Sequence, residues 1–204
     1  MWPSSTNMRN LEISPPSLNS NVLSDPHRLL KAISYAAEQH VRQRRKGVPS
    51  GTHKRTPYIN HPIRVATLLA RARIEDIDIL SAAILHDTVE DTDTTPDDLR
   101  RKFGGTITSI VLEVTDDKSL PKAERRLLQI QHAPQLSDAA ALVKLADKVD
   151  NIRDLIEEPP DWTTTRVKEY FQQARQVVDG LRNPHPNLLQ WFDAYYARRP
   201  TSDK

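Results

Sequence analysis

From Pro26 onward the apolar residues recur every third or fourth position, the spacing of helices that bury one face. Asp25-Pro26 supplies an N-cap and a first-turn proline, and Leu29, Leu30, Ile33, Ala36, Ala37, His40 and Val41 share a face, which predicts a helix over residues 26–45. The segment GVPSGTHKRTPY is punctuated by Gly, Pro and Ser and reads as a loop. His61-Pro62 opens the next helix, with Ile63, Val65, Ala66, Leu68 and Leu69 as its apolar positions, so His61 stands at a loop-to-helix junction. Residues 75–90 form a third helical segment, apolar enough that it has to be buried, and it runs into HDTVED, His86 to Asp91.

The second half keeps the same period. Thr95-Pro96-Asp97-Asp98 has an N-cap, a proline and two acids that complement the helix dipole, so a short helix is expected up to Gly104-Gly105. TITSIVLEVT is rich in β-branched residues, but no partner strand is evident and a helix is expected there too. LPKAERRLLQIQ adds another, with Pro121 in its first turn. Ser137 caps DAAALVKLADKVDNIRDLI, in which Leu142, Leu145, Val149, Ile152 and Ile156 alternate by three and four. Val167, Tyr170, Phe171, Ala174, Val177, Val178 and Leu181 mark the next helix, and Leu188 to Tyr196 a last one. With no internal repeat, the sum is an all-α bundle.

Composition narrows the picture. At 204 residues and 37% hydrophobic content the chain supports one sizeable core, so residues 25–199 are expected to form a single domain behind a Ser-, Asn- and Pro-rich leader, 1–24, that does not pack. Cysteine is absent, which excludes disulfides and thiolate metal sites and leaves His and carboxylates to build any transition-metal site. The formal charge is +2 with both signs mixed, so nucleic acid is not an expected partner despite the basic run Arg42-Gln43-Arg44-Arg45-Lys46. The leader has neither the apolar core of a signal peptide nor the arginine of a transit peptide, and nothing further on could span a membrane; a soluble cytoplasmic protein is expected.

HDTVED places an imidazole and three carboxylates in six residues. A helical residue advances ~100°, so Glu90 lies one turn beyond His86, and Asp91 one turn beyond Asp87. Alone, such a cluster is commonly a hydrated helix end, yet acids at a helix C-terminus oppose the macrodipole and call for a compensating cation. A second polar set interrupts an apolar pattern where Asp147 follows Leu145-Ala146 and Asn151 and Asp154 continue its stripe. Taken singly, Asp147 reads as a surface or satisfied polar residue, and His61 as a junction residue bonded to a carbonyl. Together, an imidazole before one helix, a His-Asp pair on a second and an Asp on a third supply four ligands of the kind octahedral metals accept. Two His and two carboxylates, with positions left for water, suit Mn²⁺ or Fe²⁺ better than a closed structural zinc site.

The order His, His-Asp, Asp is that of the HD metal-dependent phosphohydrolases. The segments TPYINHPIRVA, AAILHDTVEDTDTT, FGGTITSIVLEVTDDKSLPKAER, LVKLADKVDNIRDL and RVKEYFQQARQVVDGL, in that order over residues 28–182, resemble the RelA/SpoT-type alarmone hydrolases in their short, stand-alone metazoan form. The resemblance implies an all-α HD-domain helical bundle, Mn²⁺ bound by His61, His86, Asp87 and Asp147, and Glu90 and Asp91 as catalytic acids. It implies hydrolysis of guanosine 3′,5′-bis(diphosphate) at the 3′ position to GDP and pyrophosphate. It puts Arg45 and Lys46 near guanine and phosphates, Lys122 and Arg166 on phosphate, and Asn151 and Tyr170 on the ribose and 3′ group. Asp150 stands where an aromatic residue or His is common in that family, which implies a changed hold on the nucleoside.

In that scheme Glu90 positions or deprotonates a water acidified at the metal. Asp91 orients it or returns a proton to the leaving oxygen, and Lys122 and Arg166 neutralise charge on the pyrophosphate. Two other readings stay open. One is a phosphatase of another nucleotide, such as removal of the 2′-phosphate of NADPH. The other is a nucleotide-binding protein without turnover, against which the intact HDTVED argues. A synthetase is not expected, because in bifunctional relatives that activity occupies a separate domain beyond the hydrolase.

Overall fold

The computed structural model describes residues 24–47 and 55–201; the expected leader and most of the loop between Gly47 and Arg55 lie outside the described residues. The regular elements are α1 (Asp25–Gln39), α2 (Asn60–Arg71), α3 (Ile77–Leu85), α4 (Thr88–Asp91), α5 (Pro96–Phe103), α6 (Gly105–Val114), α7 (Lys122–His132), a 3-10 turn (Ala133–Gln135), α8 (Asp138–Glu157), α9 (Thr164–Gly180) and α10 (Pro186–Tyr196). Among the described residues there is no strand, only two isolated bridges, so the all-α expectation holds.

The central element is α8, which packs against α2, α3, α6, α9 and α10. Its Leu145, Val149 and Ile152 are sealed from solvent, each contributing roughly 1.5–3 kcal/mol of burial. Ser137 caps it by accepting the Ala140 N–H at 3.2 Å, as expected. Thr95 and Asp98 form a reciprocal capping box on α5, and Gly104, at φ +86°, supplies the left-handed residue that separates α5 from α6. Pro121 sits at the N-cap of α7 rather than inside its first turn.

Two expected helices end differently. The first stops at Gln39, not at residue 45. The run RQRRK has no apolar position with which to continue a buried face, and extended pairing takes over: Arg45 N–H donates to Thr56 O at 2.9 Å and Tyr58 N–H to Gln43 O at 3.1 Å. Gly47 then bridges to Pro160, where an added Cβ would stand 2.8 Å from the Glu158 carbonyl oxygen, so only glycine permits this crossing. The helix expected over residues 75–90 is broken at His86-Asp87 into α3 and α4. Thr88 Oγ1 donates to Leu85 O at 2.7 Å and His86 Nδ1 bonds Ala83 O at 2.8 Å, so side chains take carbonyls that a continuing helix would use. Glu90 and Asp91 therefore lie in the first turn of a new short helix, and the expected conflict with a C-terminal dipole does not arise.

Candidate active site and metal centre

The entry of α2, the α3–α4 break and the middle of α8 converge on one point. His61 Nε2 lies 3.1 Å from Asp147 Oδ1 and 3.6 Å from Asp87 Oδ2; His86 Nε2 lies 3.1 Å from Asp87 Oδ2 and 3.6 Å from Asp147 Oδ1. The four residues expected as ligands thus share one small volume, with ligand atoms of His61, His86 and Asp147 all within 4.8 Å of one another. His86 Nε2 is buried and has no hydrogen-bond partner. A buried, orphaned imidazole nitrogen facing two carboxylates is costly unless a cation takes its lone pair, and the nitrogen and oxygen donors fit a divalent ion.

The groups behind the four candidate ligands aim them. His86 Nδ1 is tied to the Ala83 carbonyl and His61 Nδ1 to Asp150 Oδ2 at 2.7 Å, so both rings present Nε2 to the centre. Tyr58 donates its hydroxyl to Asp87 Oδ2, and Asn151 Nδ2 donates to Asp147 Oδ1 at 2.6 Å. Burial opposes ionisation of Asp87 and Asp147. The histidines outweigh it, and both carboxyls are held below the ordinary range.

Glu90 and Asp91 stand beside this set. Burial first, countered by the Asp116 N–H at 3.0 Å and reinforced by the charges of Asp87, Asp116 and Asp91, raises the Glu90 carboxyl to about 7. Lys118 binds Asp91 directly and stands 3.9 Å from Glu90 Oε1. The compensating cation expected for the acid cluster therefore exists, drawn by the like charges gathered at the site.

All twelve site residues expected from the sequence line one cleft of about 470 Å³. Arg45 is held inside it by Asp154 (Nε to Oδ2, 2.9 Å) and Asn151 (Nη2 to Oδ1, 2.8 Å), so its charge is already partly answered. Arg166 instead lies over the Trp162 ring at 4.0 Å with a buried Nε that has no hydrogen-bond partner. Lys122 has its pKa lowered by partial desolvation and then by Arg126, Arg166, Lys46 and Arg125, a crowd of cations that an anion would relieve. Asp150 is placed otherwise than the resemblance implied: it is fully buried behind His61 and does not line the cleft.

Lys118, Tyr58 and the pair Arg64–Asp150 were not singled out from sequence as supporting groups. Tyr58 had a signal, three residues before His61 in TPYINHP, and so did Asp150, three residues after Asp147. Lys118 had only a loop position after two aspartates.

The HD domain family matches residues 32–183. The guanosine-3′,5′-bis(diphosphate) 3′-pyrophosphohydrolase MESH1 of Danio rerio is 55% identical over 173 residues, 84% of this chain and 93% of that protein. The Homo sapiens protein of the same name is 53% identical over 178 residues, 86% of this chain and 97% of that one. A solved structure described as a metazoan ortholog of SpoT that hydrolyzes ppGpp and plays a role in starvation responses superposes with a TM-score of 0.80 at 43% identity, covering 90% of this chain and all of the other.

Proposed function

Because this chain belongs to the HD-domain family, and within it to the metazoan SpoT-type MESH1 proteins, we propose that it is a guanosine-3′,5′-bis(diphosphate) 3′-pyrophosphohydrolase. Water adds to the phosphorus attached to ribose O3′, that P–O bond breaks, and GDP and pyrophosphate leave. The observation that carries the reading is the junction, in one cleft, of a His/Asp set, two adjoining carboxylates and a cluster of cations of which Lys122 and Arg166 have no carboxylate partner among the described residues.

His61, His86, Asp87 and Asp147 would hold the divalent ion; two imidazoles and two carboxylates without thiolate suit Mn²⁺ or Fe²⁺, and we take it to be Mn²⁺ because the resemblance to the alarmone hydrolases implies it. Such an ion, when bound, acidifies water and polarises a phosphoryl oxygen. Glu90, with a carboxyl raised to about 7, is poised to take the proton of the attacking water at neutral pH. Asp91, steadied by Lys118, orients that water and returns a proton to O3′. Lys122 and Arg166 counter the charge of the pyrophosphoryl group. Asn151 and Tyr170 take the ribose and 3′ group, and Arg45 and Lys46 the guanine and 5′ side. We assign the protein to the cytoplasm on the sequence grounds above; no helix among the described residues is long and apolar enough to cross a membrane.

Incubating the Mn²⁺-loaded protein with the alarmone, and separately with NADPH, tests the assignment. GDP and pyrophosphate from the alarmone are expected. Orthophosphate from NADPH with no product from the alarmone, or binding without any product, would overturn it.

A further inference from the structure

His61 turns Nε2 toward Asp87 and Asp147, so for that nitrogen to offer a lone pair the ring proton has to reside on Nδ1. Facing Nδ1 at 2.7 Å is Asp150 Oδ2, on a carboxylate with no exposure at all. An isolated buried carboxylate is costly to desolvate, so an anion there needs a counter-charge. Arg64, three residues after His61 on α2, supplies it as a fork: Nε donates to Asp150 Oδ1 at 2.8 Å and Nη2 to Oδ2 at 3.0 Å. The same Nη2 reaches both oxygens of Asp154 at 2.9 Å, and Arg153 Nη1 stands 3.4 Å from Asp150 Oδ1. The result is a braced line from guanidinium through carboxylate to imidazole, running between α2 and α8 beneath the centre.

We propose that Asp150, clamped by Arg64, is a positioning residue for the metal centre: it accepts the Nδ1 proton of His61 and so fixes the tautomer and ring orientation that present Nε2. This rests on the reading of His61 as a metal ligand. Since Asp150 does not line the cleft, its influence falls on the metal and not on the nucleoside. An asparagine of the same shape cannot serve Arg64 Nε and His61 Nδ1–H at once. If its amide turns to the imidazole it donates to Nδ1 and drives the proton to Nε2, the nitrogen the ion needs.

The test measures Mn²⁺ binding to the metal-stripped full chain by loss of the free-ion EPR signal, alongside the melting temperature of the stripped protein. Asp150→Asn is expected to weaken Mn²⁺ binding roughly 10- to 100-fold. The Mn²⁺ needed for half-maximal turnover should rise in step, with KM for the alarmone unchanged at saturating Mn²⁺. Arg64→Met, which leaves the Arg153 guanidinium 3.4 Å from Asp150 Oδ1 and serves as the second variant if Asp150→Asn does not fold, should produce a smaller loss. The double variant should bind no more weakly than Asp150→Asn alone, because Arg64 acts through Asp150. Wild-type affinity in either single variant, or losses that simply add, overturns this inference while the metal reading stands. A wild-type chain that binds no Mn²⁺ overturns both.

Discussion

At one end of the cleft Asp87, Asp147 and Asp154, with Asp150 buried behind His61, are each answered by a histidine, tyrosine, asparagine or guanidinium of the protein itself. At the other, Lys122 and Arg166 stand among further cations, Lys46, Arg125 and Arg126, and neither has a carboxylate within ion-pair distance among the described residues. Both regions are charged and both border the same space, yet the first is braced from behind and the second is left open in front. A centre that must hold one ion in one geometry needs ligands that cannot turn, and the bonds to Ala83, Asp150, Tyr58 and Asn151 prevent turning. A surface that must receive and release a polyanion needs cations whose partner arrives with the substrate. The burial of the acids also follows: Asp147, Asp150 and Asp154 ride on the central helix α8 and Asp87 sits at the α3–α4 break, whereas the cations ride on α7, α9 and the segment before Gly47.

If the braced end is a metal centre, Asp147→Asn should break it most severely. Stoichiometric Mn²⁺ should be lost by elemental analysis, and pyrophosphate release with it, while helix content by circular dichroism stays. The second effect belongs to Glu90. In the metal-stripped protein its carboxyl sits at about 7 against an ordinary 4.5. Between those values the native state binds more protons than the unfolded one, so stability falls as pH rises through the interval. The gap corresponds to about 3 kcal/mol. Glu90→Gln should therefore raise the melting temperature of the stripped protein at pH 8 and leave it unchanged at pH 4.

The open end is sharpened by Arg166→Met. Loss of one charged hydrogen bond to phosphate, about 1.5–3 kcal/mol, should raise KM roughly 10- to 100-fold without altering Mn²⁺ content. If metal affinity fell instead, the division of the cleft into two regions would be wrong. The smallest effect lies outside both: Thr95→Ala removes the capping box of α5 and should cost about 1 kcal/mol in denaturant unfolding while turnover is kept.

The clustering of His61, His86, Asp87 and Asp147 was legible because these residues interrupt or adjoin apolar patterns in which such residues need a reason. The longer helices were legible for the same cause, since α2, α3, α6, α8 and α9 each bury a run of apolar positions. What stayed hidden depends on partners far along the chain. Lys118 meets Asp91 across 27 positions and Arg64 meets Asp150 across 86, and no local spacing encodes either. The break at His86-Asp87 was hidden because Thr88 is an ordinary helical residue until its hydroxyl finds the Leu85 carbonyl. The early end of α1 is a contest between a polar run and the segment at Thr56–Tyr58, decided by backbone pairing that periodicity does not report.

In the proposed mechanism the acids of α4 do the chemistry beside a centre that other residues hold. Single-turnover assays of Glu90→Gln, with Mn²⁺ content and alarmone affinity measured on the same sample, test it most directly. The expected result is wild-type metal content, a Kd for the alarmone close to wild type, and pyrophosphate release slowed at least ~100-fold, the scale of a lost general base. Pyrophosphate release at the wild-type rate would contradict the account.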